Sequence, residues 1–200
     1  DLVTGVQTCA LPICAFEGVA PDLDLHCERA IRSCKAFGLV PTMTAEQIFD
    51  LAWEGIRKFP EDAELYIRPM FWAETGWVDP DPDSTRFAMV VYVSPLPEPT
   101  GLAVCLSSRR RPAPDMAPTD AKASCLYPNA SRALREAVQK GFDNAVVRDP
   151  LNNIAELATA NLFIAKDGVV HTPVPNGTFL NGVTRQRVIS LLREDGIELL

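Results

Sequence analysis

A proline-rich break near the middle of the chain limits the folds open to this sequence. Residues 94–101 contain Pro95, Pro97 and Pro99, followed by Gly101. Proline lacks a backbone N–H and fixes φ, so this stretch cannot continue a helix or a strand ladder. Helix and strand patterns lie on both sides of it. The sequence therefore predicts two α+β domains joined by a linker at 94–101.

Composition excludes several classes of protein. The chain has 200 residues, of which 47% are hydrophobic and 22% are charged, and such a chain can bury a core. Its net charge is −7, the wrong sign for binding nucleic acid or an anionic membrane surface, and the triplet Arg109, Arg110 and Arg111 does not offset it. The sequence has no apolar run long enough to predict a membrane span. We expect small-molecule partners.

Cysteine and histidine usage indicates neither a disulfide framework nor a metal site. The chain has 6 cysteines without a C-x-x-C pair, and its two histidines, His26 and His171, are far apart. A structural zinc site needs four clustered ligands, so no metal is expected. Reduced thiols are typical of the cytoplasm, which is the expected location.

The part before the break is predicted to be a small α+β domain over residues 15–93. Apolar and small residues recur at helical spacing over 23–37. A second helix begins at Thr44, where Gln47 completes a capping box, and should end near Phe59. β-Forming residues dominate two stretches, 63–72 and 86–93.

The part after the break is predicted to be a larger domain over residues 102–200. Its patterns indicate helices at 129–139 and about 184–195. A strand pattern at 102–108 comes before the first of these helices, and short strand patterns separated by turn residues follow it at 143–148, 153–158, 161–166 and 169–172. Such a meander favours a mainly antiparallel, barrel-like sheet.

Both ends of the chain look truncated. Residues 1–14 resemble a translated sequencing adapter, so we expect them to be non-native read-through. The apolar residues 197–200 stop where a strand should begin. We therefore expect the C-terminal part of the larger domain to be missing.

Lys122 has an unusual setting, because its neighbours from Ala121 to Tyr127 are almost all small or apolar. A lysine removed from water loses its proton more readily and becomes a nucleophile, as Schiff-base chemistry requires. The alternative is a loop lysine that extends its ammonium group into solvent.

Glu156 is the only charged residue between Asp149 and Lys166. A carboxylate buried in such a strand must be paired, and a cationic ring nitrogen of a cofactor would serve. The alternative is a strand residue that faces water.

The segment from Asn181 to Arg185 opens the last helix with Gly182, Val183 and Thr184. Free N–H groups at a helix start, a close backbone approach at glycine and a threonine hydroxyl are suited to an anion. Any capped helix start looks similar, so the signal gains weight only if a phosphate is expected.

In combination these signals resemble the fold-type IV aminotransferases that depend on pyridoxal 5′-phosphate, most closely the branched-chain amino-acid aminotransferases. The resemblance covers residues 15–200. The segments that carry it, in order, are Phe16-Glu17-Gly18, Leu25-His26 with Arg29, Tyr66-Ile67-Arg68-Pro69, Ser107-Ser108-Arg109-Arg110, Ala121-Lys122 with Tyr127, Ala155-Glu156, Asn161-Leu162-Phe163, Thr172-Pro173 and Gly182-Val183-Thr184-Arg185.

The resemblance implies a role for each cofactor-binding residue. Lys122 would form the Schiff base with pyridoxal phosphate and then move the proton of the substrate Cα. Glu156 would keep the pyridine nitrogen protonated, and Tyr127 would bind the 3-oxygen of the cofactor. The phosphate would be held by Arg29 and by the backbone of Val183 and Thr184.

The resemblance also implies the substrate pocket and the reaction. Tyr66 and Arg68 alternate along a strand and would face substrate carboxylates, and Phe16 and Gly18 would line the apolar wall. The implied reaction transfers the amino group of leucine, isoleucine or valine to 2-oxoglutarate. A homodimer is expected.

Several alternatives remain open at this point. Within the same fold they are a D-amino-acid aminotransferase, an (R)-amine transaminase and aminodeoxychorismate lyase. Outside enzymes, the chain could be an inactive truncated fragment or a non-catalytic small-molecule binding module. Retention of both Lys122 and Glu156 weakens the last of these.

Overall fold

The computed structural model describes residues 7–8 and 13–200. The described chain divides into two units. The first unit runs to Pro99 and includes Ala121–Cys125, and the second comprises Thr100–Asp120 and Leu126–Leu200. Most of the segment interpreted as non-native, 1–14, lies outside the described residues. No helix of the described chain is long and apolar enough to cross a membrane.

The first unit is built on a four-stranded antiparallel sheet. Its strands are β1 (Gln7–Thr8), β2 (Ile13–Ala15), β3 (Leu65–Ala73) and β4 (Thr85–Val93). β3 pairs with β1 and β2, and it also pairs with β4 along its whole length. Burial alternates strictly along β3, so one face of the strand packs into a core and the other carries its polar residues.

Two helices cover the buried face of this sheet. They are α1 (Leu23–Ala36) and α2 (Ala45–Ile56). The predicted capping box is confirmed, since the Thr44 side chain accepts from the backbone of Gln47 and the Gln47 side chain accepts from the backbone of Thr44. α2 ends three residues earlier than expected, and the backbone N–H groups of Lys58 and Phe59 instead donate to carbonyls three residues before them. The core contains residues from both helices and from the sheet.

The second unit contains a three-stranded sheet with one helix against it. The strands are β5 (Val104–Arg110), β6 (Asn144–Arg148) and β7 (Ile154–Leu157), in that order, and α3 (Tyr127–Gln139) packs on β5 and β6. β6 and β7 are antiparallel, as the turn between them predicts. β5 and β6 run parallel, because a helix connects them.

The rest of this unit is a hairpin and a final helix. β8 (Ile164–Lys166) and β9 (Val169–His171) are joined by Asp167 and Gly168, both with positive φ, as a tight hairpin turn requires. α4 (Val183–Glu194) follows. The chain then runs parallel to β9, since the backbone N–H of Val170 donates to the carbonyl of Glu198 and the N–H of Leu200 donates to the carbonyl of Val170. The α+β architecture expected from the sequence is confirmed.

Candidate active site

Lys122 belongs to the first unit and lies in an irregular stretch just before a short 3-10 helix, Ser124–Leu126. Ala121 and Ala123 on either side are buried, so the apolar setting inferred from the sequence is present. The backbone N–H of Lys122 donates to Ser33 Oγ at 3.1 Å. Ser33 is itself buried on α1. The lysine backbone is therefore fixed against one face of that helix.

Arg29 lies on the same helix, one turn before Ser33, and is buried. Its Nη2 donates to His26 Nδ1 at 2.8 Å. Because an arginine only donates, this ring nitrogen must be unprotonated. Burial, followed by the charge of Arg29, lowers the pKa of His26 to about 4. The arginine is thus oriented by a neutral partner that adds no negative charge.

Tyr66 and Arg68 share the partly exposed face of β3, as their alternation predicts. Tyr66 lies opposite Tyr92 on β4, and the two rings are 5.2 Å apart between centroids. An aromatic pair across two strands restricts the tyrosine ring. This face therefore presents a phenol and a guanidinium side by side.

Phe16 and Gly18 form a tight turn after β2, in which Gly18 has φ of 73°. Together with α2 residues such as Trp53 they line an open cleft of about 300 Å³. Leu65, from the core face of β3, also lines this cleft, and Tyr66 and Arg68 are not part of its wall. The four residues predicted to form a substrate pocket are therefore found in two places in this unit. Phe16 and Gly18 line the cleft, and Tyr66 and Arg68 lie on the partly exposed face of β3.

Glu156 lies on β7 in the second unit and is buried. Its Oε1 is 3.3 Å from Nε of Arg111, which is also buried. Its Oε2 is 3.5 Å from Nδ2 of Asn161, which donates a further hydrogen bond of 3.0 Å to the carbonyl of Leu180. The carboxylate is therefore linked by one amide to the residues that precede α4.

The start of α4 is an uncapped helix terminus. Gly182 is its N-cap and provides no side-chain hydrogen bond, Val183 is buried, and Thr184 is exposed. A Cβ on Gly182 would lie 2.5 Å from Oδ1 of Asn161, so a larger residue there would displace this amide. The first N–H groups of the helix are left for an anion. Asn161 thus brings Glu156 and the start of α4 into one cluster.

Arg185 adds positive charge to the first turn of α4. It is buried, and it donates to Asn181 Oδ1 at 2.8 Å and to the carbonyl of Pro173 at 2.9 Å. Its Nε is buried without a hydrogen-bond partner among the described residues, and burial lowers the pKa of the guanidinium. A cation beside the positive end of a helix is favoured only if an anion compensates it.

Tyr127 is the first residue of α3, which begins two residues earlier than predicted, and its side chain is partly exposed. Pro128 follows at the first helical turn, where its missing N–H costs nothing. Tyr127 is close to Lys122 along the chain.

A family model of class IV amino-transferases matches residues 13–200. The chain belongs to this family. Among class IV relatives, an aminotransferase from Brucella abortus, solved bound to the cofactor PLP, is 52% identical with a TM-score of 0.93, and the match covers 98% of this chain and 70% of that one. The branched-chain amino acid aminotransferase from Escherichia coli is 27% identical with a TM-score of 0.85, over 99% and 66% of the two chains.

Curated class IV relatives carry the same kind of name. The probable branched-chain-amino-acid aminotransferase of Rickettsia felis is 30% identical over 188 residues, which are 92% of this chain and 64% of the relative. The branched-chain-amino-acid aminotransferase of Salmonella typhimurium is 31% identical over 182 residues, which are 87% and 59%. The chain thus spans less than two thirds of the length of these relatives.

Four residues of this class IV chain were not recognised as parts of a site from the sequence. Ser33 and His26 lie on the helical stripe that carries Arg29, so their spacing was the available signal. The sequence contains less signal for a role of Asn161 or Arg111. Arg111 is one of three consecutive arginines, of which only it is buried. No local pattern distinguishes the buried arginine from its neighbours.

Proposed function

We propose that this chain is part of a pyridoxal-phosphate-dependent enzyme that transfers the amino group of branched-chain L-amino acids to 2-oxoglutarate. The observation that carries the proposal is the buried, paired Glu156 beside an uncapped helix start, in a chain that also anchors Lys122 between buried alanines. The cofactor, when bound, supplies an electron sink that stabilises negative charge at the substrate Cα.

The donor groups fit such a cofactor. A carboxylate held anionic suits a protonated ring nitrogen, and this is the role assigned to Glu156. A guanidinium and free helix N–H groups suit a phosphate, and Arg29, Val183 and Thr184 supply them. The hydroxyl of Tyr127 is assigned to the 3-oxygen. Each residue carries the charge or hydrogen-bonding group that its role demands.

Lys122 is assigned two tasks. Its amine would attach the cofactor and would afterwards move the proton of the substrate Cα to C4′ of the cofactor. Both tasks require a neutral amine, and the hydrogen bond from the backbone N–H of Lys122 to Ser33, between two buried alanines, fixes where the side chain begins.

The remaining assignments concern the substrate and the assembly. Arg68 and Tyr66 are assigned to the carboxylates of the amino acid and of 2-oxoglutarate, and Phe16 and Gly18 to the apolar wall that accepts an aliphatic side chain. We further propose that the enzyme is a cytoplasmic homodimer. The branched-chain names of the relatives in Rickettsia felis and Salmonella typhimurium support this substrate class.

The test begins with attachment of the cofactor. The protein is incubated with pyridoxal phosphate, reduced with borohydride and digested, and the modified peptide is identified by mass spectrometry. The cofactor should be found on Lys122 in the wild type and in Lys166→Ala, a matched variant at an exposed lysine, and be absent from that site in Lys122→Ala. A wild type without cofactor on Lys122 would refute the proposal.

Substrate choice is tested separately with the same preparation. Leucine, isoleucine, valine, D-alanine and an (R)-amine are each offered with 2-oxoglutarate, and formation of glutamate is followed. We expect the three branched-chain L-amino acids to be used. Preference for D-alanine or the (R)-amine would keep the cofactor assignment and overturn the substrate assignment.

A further inference from the structure

Arg111 is the cation that the structure places against Glu156. Both side chains are buried, and Arg111 Nε lies 3.3 Å from Glu156 Oε1. The backbone N–H of Arg111 donates to the carbonyl of Arg148 at 2.8 Å, which extends the pairing between β5 and β6 by one residue. The arginine backbone is therefore fixed at the edge of the sheet on which Glu156 lies.

The same guanidinium also holds the loop that leads into α4. Its Nε donates to the carbonyl of Thr178 at 2.9 Å. Thr178 is fixed in turn by Oδ1 of Asn176, which accepts from both its backbone N–H and its hydroxyl. Asn176 donates to the buried Asp149 at 2.9 Å. This loop is thus anchored at two points, through Asn176 to Asp149 and through Thr178 to Arg111.

Glu156 is connected to this loop along two routes. One route passes from Oε1 through Arg111 to Thr178, and the other from Oε2 through Asn161 to Leu180. Four residues after Thr178 the chain reaches Gly182, the N-cap of α4. A single buried side chain therefore contacts the carboxylate and also the segment that sets the position of the helix start.

A buried ion pair contributes little net stability to a fold. Removing two charges from water offsets most of their attraction, so apolar residues of similar volume often stabilise a fold at least as well. Removing only one partner is strongly destabilising, because it leaves a buried charge without compensation. The pair is therefore better explained by what it positions than by the stability it contributes.

We propose that Arg111 is a positioning residue that holds Glu156 and the loop before α4 in one fixed arrangement, so that the groups for the ring nitrogen and for the phosphate of the cofactor keep a set separation. This inference rests on the proposed function for its purpose, although the arrangement itself is independent of a cofactor.

The test uses a double-mutant cycle in the cofactor-free protein and cofactor affinity in the same variants. Arg111→Met, Glu156→Gln and the double variant are compared with the wild type by thermal unfolding. Arg111→Met should lower the melting temperature clearly, and Glu156→Gln in that background should recover part of the loss, because no charge is then left unpaired. The exposed pair Arg86 and Glu74 is the matched control, and its cycle should show little coupling.

Equilibrium dialysis then measures binding of pyridoxal phosphate. Misplaced contacts should weaken binding in Arg111→Met by about 10-fold to 100-fold. Arg111→Lys keeps the charge without the planar fork, so it should bind with intermediate affinity. Because Glu156 faces the ring nitrogen in this proposal, the visible absorbance maximum of the bound cofactor should also shift in Arg111→Met, a change that a purely structural arginine would not produce.

The outcomes separate the two proposals. If the wild type takes up no pyridoxal phosphate, the proposed function fails, and the unfolding cycle alone decides whether Arg111 holds Glu156. If Arg111→Met or Arg111→Lys binds the cofactor with wild-type affinity and an unshifted absorbance, the positioning role is overturned and the proposed function stands. A coupling energy between Arg111 and Glu156 no larger than that between Arg86 and Glu74 also overturns the positioning role.

Discussion

Arg29 in the first unit and Arg111 in the second are both buried, and they contact different kinds of side chain. Arg29 on α1 donates to His26, whose neutral ring adds no negative charge. Arg111 at the end of β5 lies against the carboxylate of Glu156. A guanidinium oriented by a neutral partner can still attract an anion, whereas one paired with a carboxylate has its charge largely compensated. The comparison agrees with the proposed roles, in which Arg29 binds the phosphate and Arg111 is a positioning residue.

The largest expected effect follows from the binding half of this comparison. Arg29→Met should weaken binding of pyridoxal phosphate by about 100-fold, since a hydrogen-bonded charge pair contributes about 1.5–3 kcal/mol. Binding of pyridoxal, which lacks the phosphate, should change little. Equilibrium dialysis with both compounds makes the measurement.

The control for this prediction lies on the same helix. Arg32 is exposed and pairs with Glu28, so Arg32→Met should leave both affinities at wild-type values. If Arg29→Met binds pyridoxal phosphate as tightly as Arg32→Met does, Arg29 does not hold the phosphate and the comparison breaks down.

The next effect concerns the neutral partner of Arg29. Burial and the charge of Arg29 lower the pKa of His26 from 6.5 to about 4, so the unfolded chain binds a proton there at a higher pH than the folded chain does. The free energy of unfolding therefore decreases as the pH falls below about 6.5, and it continues to decrease as the pH approaches 4. Between pH 6.5 and 5 the loss should be about 2 kcal/mol.

His26→Asn tests this pH dependence, because Asn keeps an acceptor for Arg29 and does not titrate. Chemical denaturation at both pH values should show a smaller acid-induced loss in His26→Asn than in the wild type. His171 is exposed on β9, and His171→Asn should retain the wild-type loss. Equal losses in all three proteins would mean that His26 takes up a proton in the folded state as easily as in the unfolded state.

How far the sequence predicts this site depends on whether the relevant contacts are local. The stripe of α1 follows from helical spacing, and the capping box at Thr44 was found where its pattern placed it. Glu156 and the two alanines beside Lys122 are buried, as their apolar surroundings in the sequence indicated. These features depend on residues a few positions apart.

The contacts that the sequence did not reveal join distant residues. Arg111 and Glu156 are brought together only by the order of β5, β6 and β7, and that order includes a parallel pair. Strand patterns are the same for parallel and antiparallel neighbours, so a meander was a reasonable expectation from turns alone. Nothing in a run of three arginines identifies the one that faces inward.

A smaller effect tests the second link to Glu156, through Asn161. The backbone of Gly182, with φ of −60°, accepts any residue, but a Cβ there would lie 2.5 Å from Asn161 Oδ1. Gly182→Ala should therefore displace the Asn161 amide from Leu180 and cost about 1 kcal/mol, the value of one net hydrogen bond. In an Asn161→Ala background the same change should cost almost nothing. Equal costs in both backgrounds, measured by denaturation, would show that Asn161 is not the group displaced.

The smallest expected effect tests whether burial or contact distance determines how much an arginine–carboxylate pair contributes to stability. Arg86 Nη2 and Glu74 Oε2 are 2.8 Å apart, closer than Arg111 and Glu156, but both side chains are about half exposed. Water and salt screen such a pair, so Glu74→Gln should cost about 0.5 kcal/mol or less, and the cost should vanish at high salt. Denaturation at low and high salt provides the measurement. A cost that persists at high salt and matches that of removing Arg111 would mean that contact distance, rather than burial, distinguishes the arginines of this protein.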